Sequence, residues 1–173
     1  MEDIQPKTGK FAWTFGVILG VASIVFSLML YTMEMHYEQG WPVRIIGILL
    51  ILAAIILGAV QFKKANSGFI TISEALKIGA GVGLIGGIFS LAFYALLTNV
   101  IEPDFMDKSL EIAKVKAFED NPKITEEQWE QGVSIQKKFA WLAYPVGIIL
   151  NIVTGLIIGL ITGLIIKKQK PDY

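Results

Sequence analysis

Charge avoids four long stretches of this chain. Phe11–Tyr31, Ile45–Phe62, Ile78–Ile101 and Phe139–Ile166 hold no Asp, Glu, Lys or Arg. A run of about 20 apolar residues is long enough to cross a bilayer as a helix. A backbone in hydrocarbon must satisfy its own polar groups, so each run is read as a helix. The pattern predicts an all-α integral membrane protein, one membrane domain over residues 1–173 with spans at about 11–31, 45–62, 78–101 and 139–166. Lys7 and Lys10 precede the first run as in a signal peptide. That run exceeds the 7–15 residues of a usual signal core, and no small-x-small cleavage pattern follows Tyr31, so it is expected to stay as a span.

The polar stretches carry their own signals. Residues 102–138 are expected to form a helical extracytoplasmic insertion between the third and fourth spans. Asp104 is placed to cap a helix reaching about Glu119, with Phe105, Met106, Leu110, Ile112, Ala113 and Ala117 on one face. Asn121-Pro122 should end it. Thr125-Glu-Glu-Gln128 reads as a capping box opening a second helix, with Trp129 and Val133 on one face. Ahead of the third span, Ser73 is expected to cap and Glu74 to suit the helix dipole.

Packing in lipid relies on close backbone approach and interhelical hydrogen bonds rather than apolar burial. The fourth span offers Gly147, Asn151, Gly155, Gly159 and Gly163, each four residues apart. The third offers Gly79, Gly83 and Gly87, the first Gly16 and Gly20. These ridges are expected to face helices of the same chain, with a homo-oligomer built through the fourth span as the alternative. Asn151, near mid-membrane, is expected to hydrogen-bond across helices. Pro145 is expected to break the long last run, leaving Val146–Ile166 as the crossing. A twelve-residue echo aligns Gly20–Tyr31 with Gly83–Tyr94, with five identities; it would mark two tandem hairpins if the chain were duplicated.

Composition and charge narrow the function. The hydrophobic fraction of 54% exceeds the globular norm of roughly 45–50%, and charge at 17% is low, which fits the membrane reading. Net charge is zero, so no nucleic acid partner is expected. Absence of Cys removes disulfides and thiol chemistry. Eight lysines (Lys7, Lys10, Lys63, Lys64, Lys77, Lys167, Lys168, Lys170) flank one side of the spans in short segments; the other seven basic residues lie mostly in the long insertion. By density, the positive-inside rule puts both termini in the cytoplasm. Trp13, Tyr31, Trp41, Trp141 and Tyr144 sit near span ends, as interfacial aromatics do.

No ionisable residue lies inside a span, which argues against an ion-coupled carrier. Glu34, His36 and Glu38 are too few for a metal site, and Glu126, Glu127 and Glu130 read as a solvated helix face. No catalytic, cofactor or metal residues are assigned, and no enzyme is expected.

Four features together, the four-span layout, Gly68-Phe-Ile-Thr-Ile-Ser-Glu-Ala-Leu-Lys-Ile-Gly79, Ile101-Glu-Pro-Asp-Phe105 and the Gly-rich last span ending in lysines, resemble the bacterial family catalogued as domain of unknown function 4199. The resemblance implies a four-helix protein of the bacterial inner membrane and brings no activity or ligand. The leading expectation is a non-enzymatic structural or partner-binding subunit, contacting membrane lipid and, through residues 102–138, a protein partner. The alternative is a small transport or lipid-handling component with a cleft lined by Asn151, Thr154 and the glycines.

Overall fold

A computed structural model of the chain describes residues 6–37 and 40–169. Glu38 and Lys170, named above, lie outside them. The described residues are helical, without a strand; the one pairing of extended backbone is an isolated bridge between Ile70 and Lys168. In order they form α1 (Thr8–Thr32), α2 (Trp41–Ala65), α3 (Ile72–Leu96) with a π-helical end over Leu97–Ile101, α4 (Phe105–Asp120), α5 (Glu126–Lys138) and, after a 3-10 turn at Ala140–Leu142, α6 (Ala143–Ile166). Four of them, α1, α2, α3 with its π end, and α6 with its 3-10 lead, are long and apolar enough to cross a membrane. They expose many large apolar residues, among them Ile18, Val21 and Val25 on α1, Ile48, Leu49 and Leu57 on α2, and Ile157, Leu160 and Ile165 on α6. Apolar exposure repeated along whole helices suits a lipid surround.

The helices outrun the apolar stretches. α2 begins at Trp41 with Pro42 next to it, where its missing N–H costs nothing, and ends beyond Lys63 and Lys64. A charge-free run measures the part of a helix suited to hydrocarbon; the helix itself continues into the interface. In α3 the expected cap at Ser73 is corrected to Thr71. Its Oγ accepts from the Glu74 N–H at 3.2 Å while the Thr71 N–H donates to Glu74 Oε2 at 2.7 Å, a reciprocal box. The last run is not one helix either. Phe139 leaves helical geometry, the 3-10 turn follows, and α6 starts at Ala143. Pro145 therefore does not break the crossing; it sits in the first turn of α6, where backbone N–H groups have no partner within the helix.

The chain divides into two compact units, residues 1–90 with 147–173, and residues 91–146. In the first, the core lies between one set of helix ends. Phe15 and Leu19 of α1, Ile55, Ala59 and Phe62 of α2, Ala75, Ile78 and Val82 of α3 and Ile158 of α6 form it. The ring of Phe11 meets that of Phe62 edge-on at 5.5 Å. The same ends carry Lys7, Lys10, Lys63, Lys64, Lys77, Lys167 and Lys168. The Ile70–Lys168 bridge, with both N–H···O bonds at 2.9 Å, joins the α2–α3 turn to the tail of α6. Lys63 Nζ donates to the Ile166 carbonyl at 2.8 Å, closing an open acceptor at the α6 C-terminus with a favourable charge. The turn between α2 and α3 needs left-handed backbone at Ser67 (φ 55) and Gly68 (φ 86); glycine takes that conformation without a Cβ penalty.

In the second unit α4 and α5 are antiparallel. Phe118 packs edge-on against Trp129 at 6.4 Å, Lys114 pairs with Glu126, and Lys137 Nζ meets Asp107 Oδ1 at 2.9 Å. The turn is made by Asn121, whose Oδ1 accepts from the Lys123 N–H at 3.2 Å. The Thr125–Gln128 capping box is present, with both bonds formed. Asp104 precedes α4 but its side chain caps nothing. The expected α4 face is also corrected: Ile112 and Ala113 are exposed, while Phe105, Met106, Leu110, Ala117 and Phe118 are half-buried. The half-buried stripe is set by Phe118, left out of the expected face, through its contact with Trp129.

Candidate functional site

The glycine ridges decide where helices touch in the first unit. α3 and α6 run antiparallel and nearly backbone to backbone. A Cβ on Gly79 would collide with the Gly155 carbonyl oxygen, and one on Gly155 with that of Gly79. Gly83 faces the Asn151 carbonyl in the same way, Gly159 that of Ala75 at 2.7 Å, and Gly163 the Ala75 side chain at 2.9 Å. Gly87 lies 3.0 Å, measured from its added Cβ, from the Cβ of Asn151. Such approach is what small residues permit in membrane helices, with main-chain dipoles and dispersion acting at short range. α1 and α3 run parallel and interlock by a different device. Gly16 receives the Ile85 side chain and Gly20 the Phe89 ring, while Gly81 and Gly86 receive Ala12 and Leu19. Gly20 thus lies level with Phe89, about 9 Å along the helix from Gly83, so the sequence echo does not pair residues at equal depth. Gly147 contributes its carbonyl to a bond described next. Within the chain, α3 lies against the α6 ridge.

Away from the lysine-bearing ends the helices of this unit separate. The last buried residue of α1 is Gly20, the first of α2 is Ile51 and the first of α6 is Gly155. The space left is a cleft of about 420 Å³. Its polar lining comes from Ser23 of α1, Arg44 of α2, Ser90 of α3, and Asn151 and Thr154 of α6. Leu19, Ile48 and Ile51 supply apolar wall, Gly86 lies under Leu19, and Gly47 leaves room. Nothing lies within 4 Å of a Cβ placed on Gly47.

Asn151 does not bond across helices as expected. Its Nδ2 donates to the Gly147 carbonyl of its own helix at 2.9 Å. Ser90 likewise donates to its own Gly86 carbonyl at 3.0 Å. A residue four back is the nearest acceptor any helical side chain has, and in lipid it competes with partners on other helices. Both side chains still offer oxygen lone pairs, and Asn151 a second N–H, to the cleft.

Arg44 stands directly ahead of the charge-free run that opens at Ile45. The structure puts it in the first turn of α2, with its guanidinium 5.9 Å from the Trp41 ring centre. Arg44, Gly47, Ile48 and Ile51 follow i, i+3, i+4, i+7 spacing, so one helical face was legible once α2 was started early enough. Among the described residues no three His, Asp or Glu converge to hold a metal.

The family model described as protein of unknown function (DUF4199) matches residues 14–168, and the chain belongs to that family. The match includes every residue of the cleft and of the α3–α6 seam. No curated protein and no solved structure matches the chain.

Proposed function

We propose that this is a non-enzymatic, multi-pass protein of a bacterial inner membrane that holds an amphiphile or small solute in the cleft between its helices. One observation carries the reading: Ser23, Ser90, Asn151 and Thr154 come from three helices to one open cleft instead of pairing across a sealed interface. Polar groups left facing a space inside a membrane domain are costly without a guest or water to bond them. In this reading the lysine-bearing ends and both termini face the cytoplasm, and residues 102–138 are extracytoplasmic. The test is to purify the full chain in mild detergent, extract what it carries and compare with Gly47→Leu, which puts a side chain into the cleft. A compound retained by the wild type and lost from the variant supports the reading; equal retention rejects it.

A second reading, a partner-binding subunit acting through residues 102–138, is favoured by the apolar side chains exposed on α4 and α5. Ile112, Val115 and Ile135 are at least half exposed or close to it, and neither helix has a buried residue. Photo-crosslinkers at Val115 and Ile135 in intact cells should trap one defined protein; crosslinks to lipid alone would reject that role.

A further inference from the structure

The cleft has one charged group on its wall, and its chemistry narrows the guest. Arg44 is the single arginine of the chain. No carboxylate among the described residues is paired with it; the ion pairs of the unit formed by residues 91–146 involve other groups. Its guanidinium presents a planar fork of donors suited to a phosphodiester. Its depth is also defined. Arg44 and Lys63 bracket the charge-free part of α2, and at 1.5 Å per residue they stand roughly 28 Å apart, close to the hydrocarbon thickness. Arg44 therefore lies where phospholipid phosphates lie, beside an interfacial tryptophan. From there the cleft passes Ile48 and Ile51 to Leu19, an apolar path directed into the acyl layer, with Asn151 and Ser23 beside it.

We infer that the cleft holds one anionic phospholipid, a deepening of the guest-binding reading on which it rests. The phosphate sits on the Arg44 guanidinium, one acyl chain lies along Ile48, Ile51 and Leu19, and the Asn151 amide and Ser23 hydroxyl donate to the ester carbonyls. The lysines at the other helix ends also attract anionic headgroups, but they do not line this cleft, and substitution of Arg44 leaves them untouched.

The experiment places the full chain in phosphatidylcholine nanodiscs containing a minor fraction of either phosphatidylglycerol or a diacylglycerol with the same chains. Retained lipid is counted by native mass spectrometry after gentle release. The wild type should keep one phosphatidylglycerol and prefer it roughly tenfold over diacylglycerol. Arg44→Gln should lose that preference, Arg44→Lys should keep part of it, and Gly47→Leu should keep neither lipid. An Arg44→Gln protein with unaltered preference overturns the anionic headgroup, while loss of diacylglycerol from Gly47→Leu in the same series leaves the cleft reading standing. Equal retention by wild type and Gly47→Leu overturns both. Displacement of the bound phosphatidylglycerol by inorganic phosphate overturns the lipid in favour of a water-borne anion.

Discussion

Two halves of the four-helix unit use glycine for opposite ends. Toward the lysine-bearing ends, Gly79, Gly155 and Gly159 remove side chains so that two backbones meet, and no space remains. In the other half, Gly47 removes a side chain beside a space that no described residue fills. The residue is the same and the composition of the helices is similar. What differs is the partner across from it. In the closed half the opposing position is also small, so contact propagates along the ridge. In the open half the cleft wall carries Ser23 and Thr154 on other helices and Arg44 beside Gly47, and nothing approaches Gly47 within 4 Å. Closed packing holds the unit together; the parted half leaves room for a guest.

Substitutions sharpen this contrast in a definite order. Gly79→Leu should have the largest effect, because its side chain must displace the α6 backbone. A loss of about 3 kcal/mol or more is expected, at the upper end of overpacking costs, read as loss of monodisperse protein in detergent. Gly20→Leu meets Phe89 at its Cβ, which no rotamer change moves, so α1 must shift from α3 and a cost of about 1–3 kcal/mol should appear as a lowered Tm. Thr71→Ala removes the reciprocal cap of α3 and should cost about 1 kcal/mol by the same melt. Asn151→Leu should change Tm little, by less than about 1 kcal/mol, since its bond lies within its own helix; a large loss would mean that it bridges helices. Lys114→Ala, which breaks an exposed ion pair on the α4–α5 hairpin, should be nearly silent, under about 1 kcal/mol.

The sequence exposes the closed half far better than the open one. A seam of small residues repeats every four positions, and Gly155, Gly159 and Gly163 can be read as a contact line with no knowledge of the partner. Local rules missed details that depend on competition between neighbours. Thr71 and Ser73 are both hydroxyl residues that could start α3, and the Glu three residues beyond Thr71 was the deciding sign. Asn151 had two kinds of acceptor, and the carbonyl of Gly147 on its own helix won. Arg44 stands outside the charge-free run; a helix does not end where its hydrocarbon-compatible portion ends, and only the extended α2 brings Arg44 onto the face of Gly47 and Ile51. A cleft is harder to read than a contact, because it is defined by side chains from four helices failing to meet.

The most direct test of the contrast is the difference in melting temperature between Gly47→Leu and Gly155→Leu, measured side by side in one detergent. Both add the same side chain to a glycine in a membrane helix. The account predicts that Gly47→Leu melts with the wild type and Gly155→Leu melts far below it or fails to fold. Similar losses for both variants would mean that the space beside Gly47 is packed, and similar tolerance would mean that α3 and α6 do not meet at Gly155.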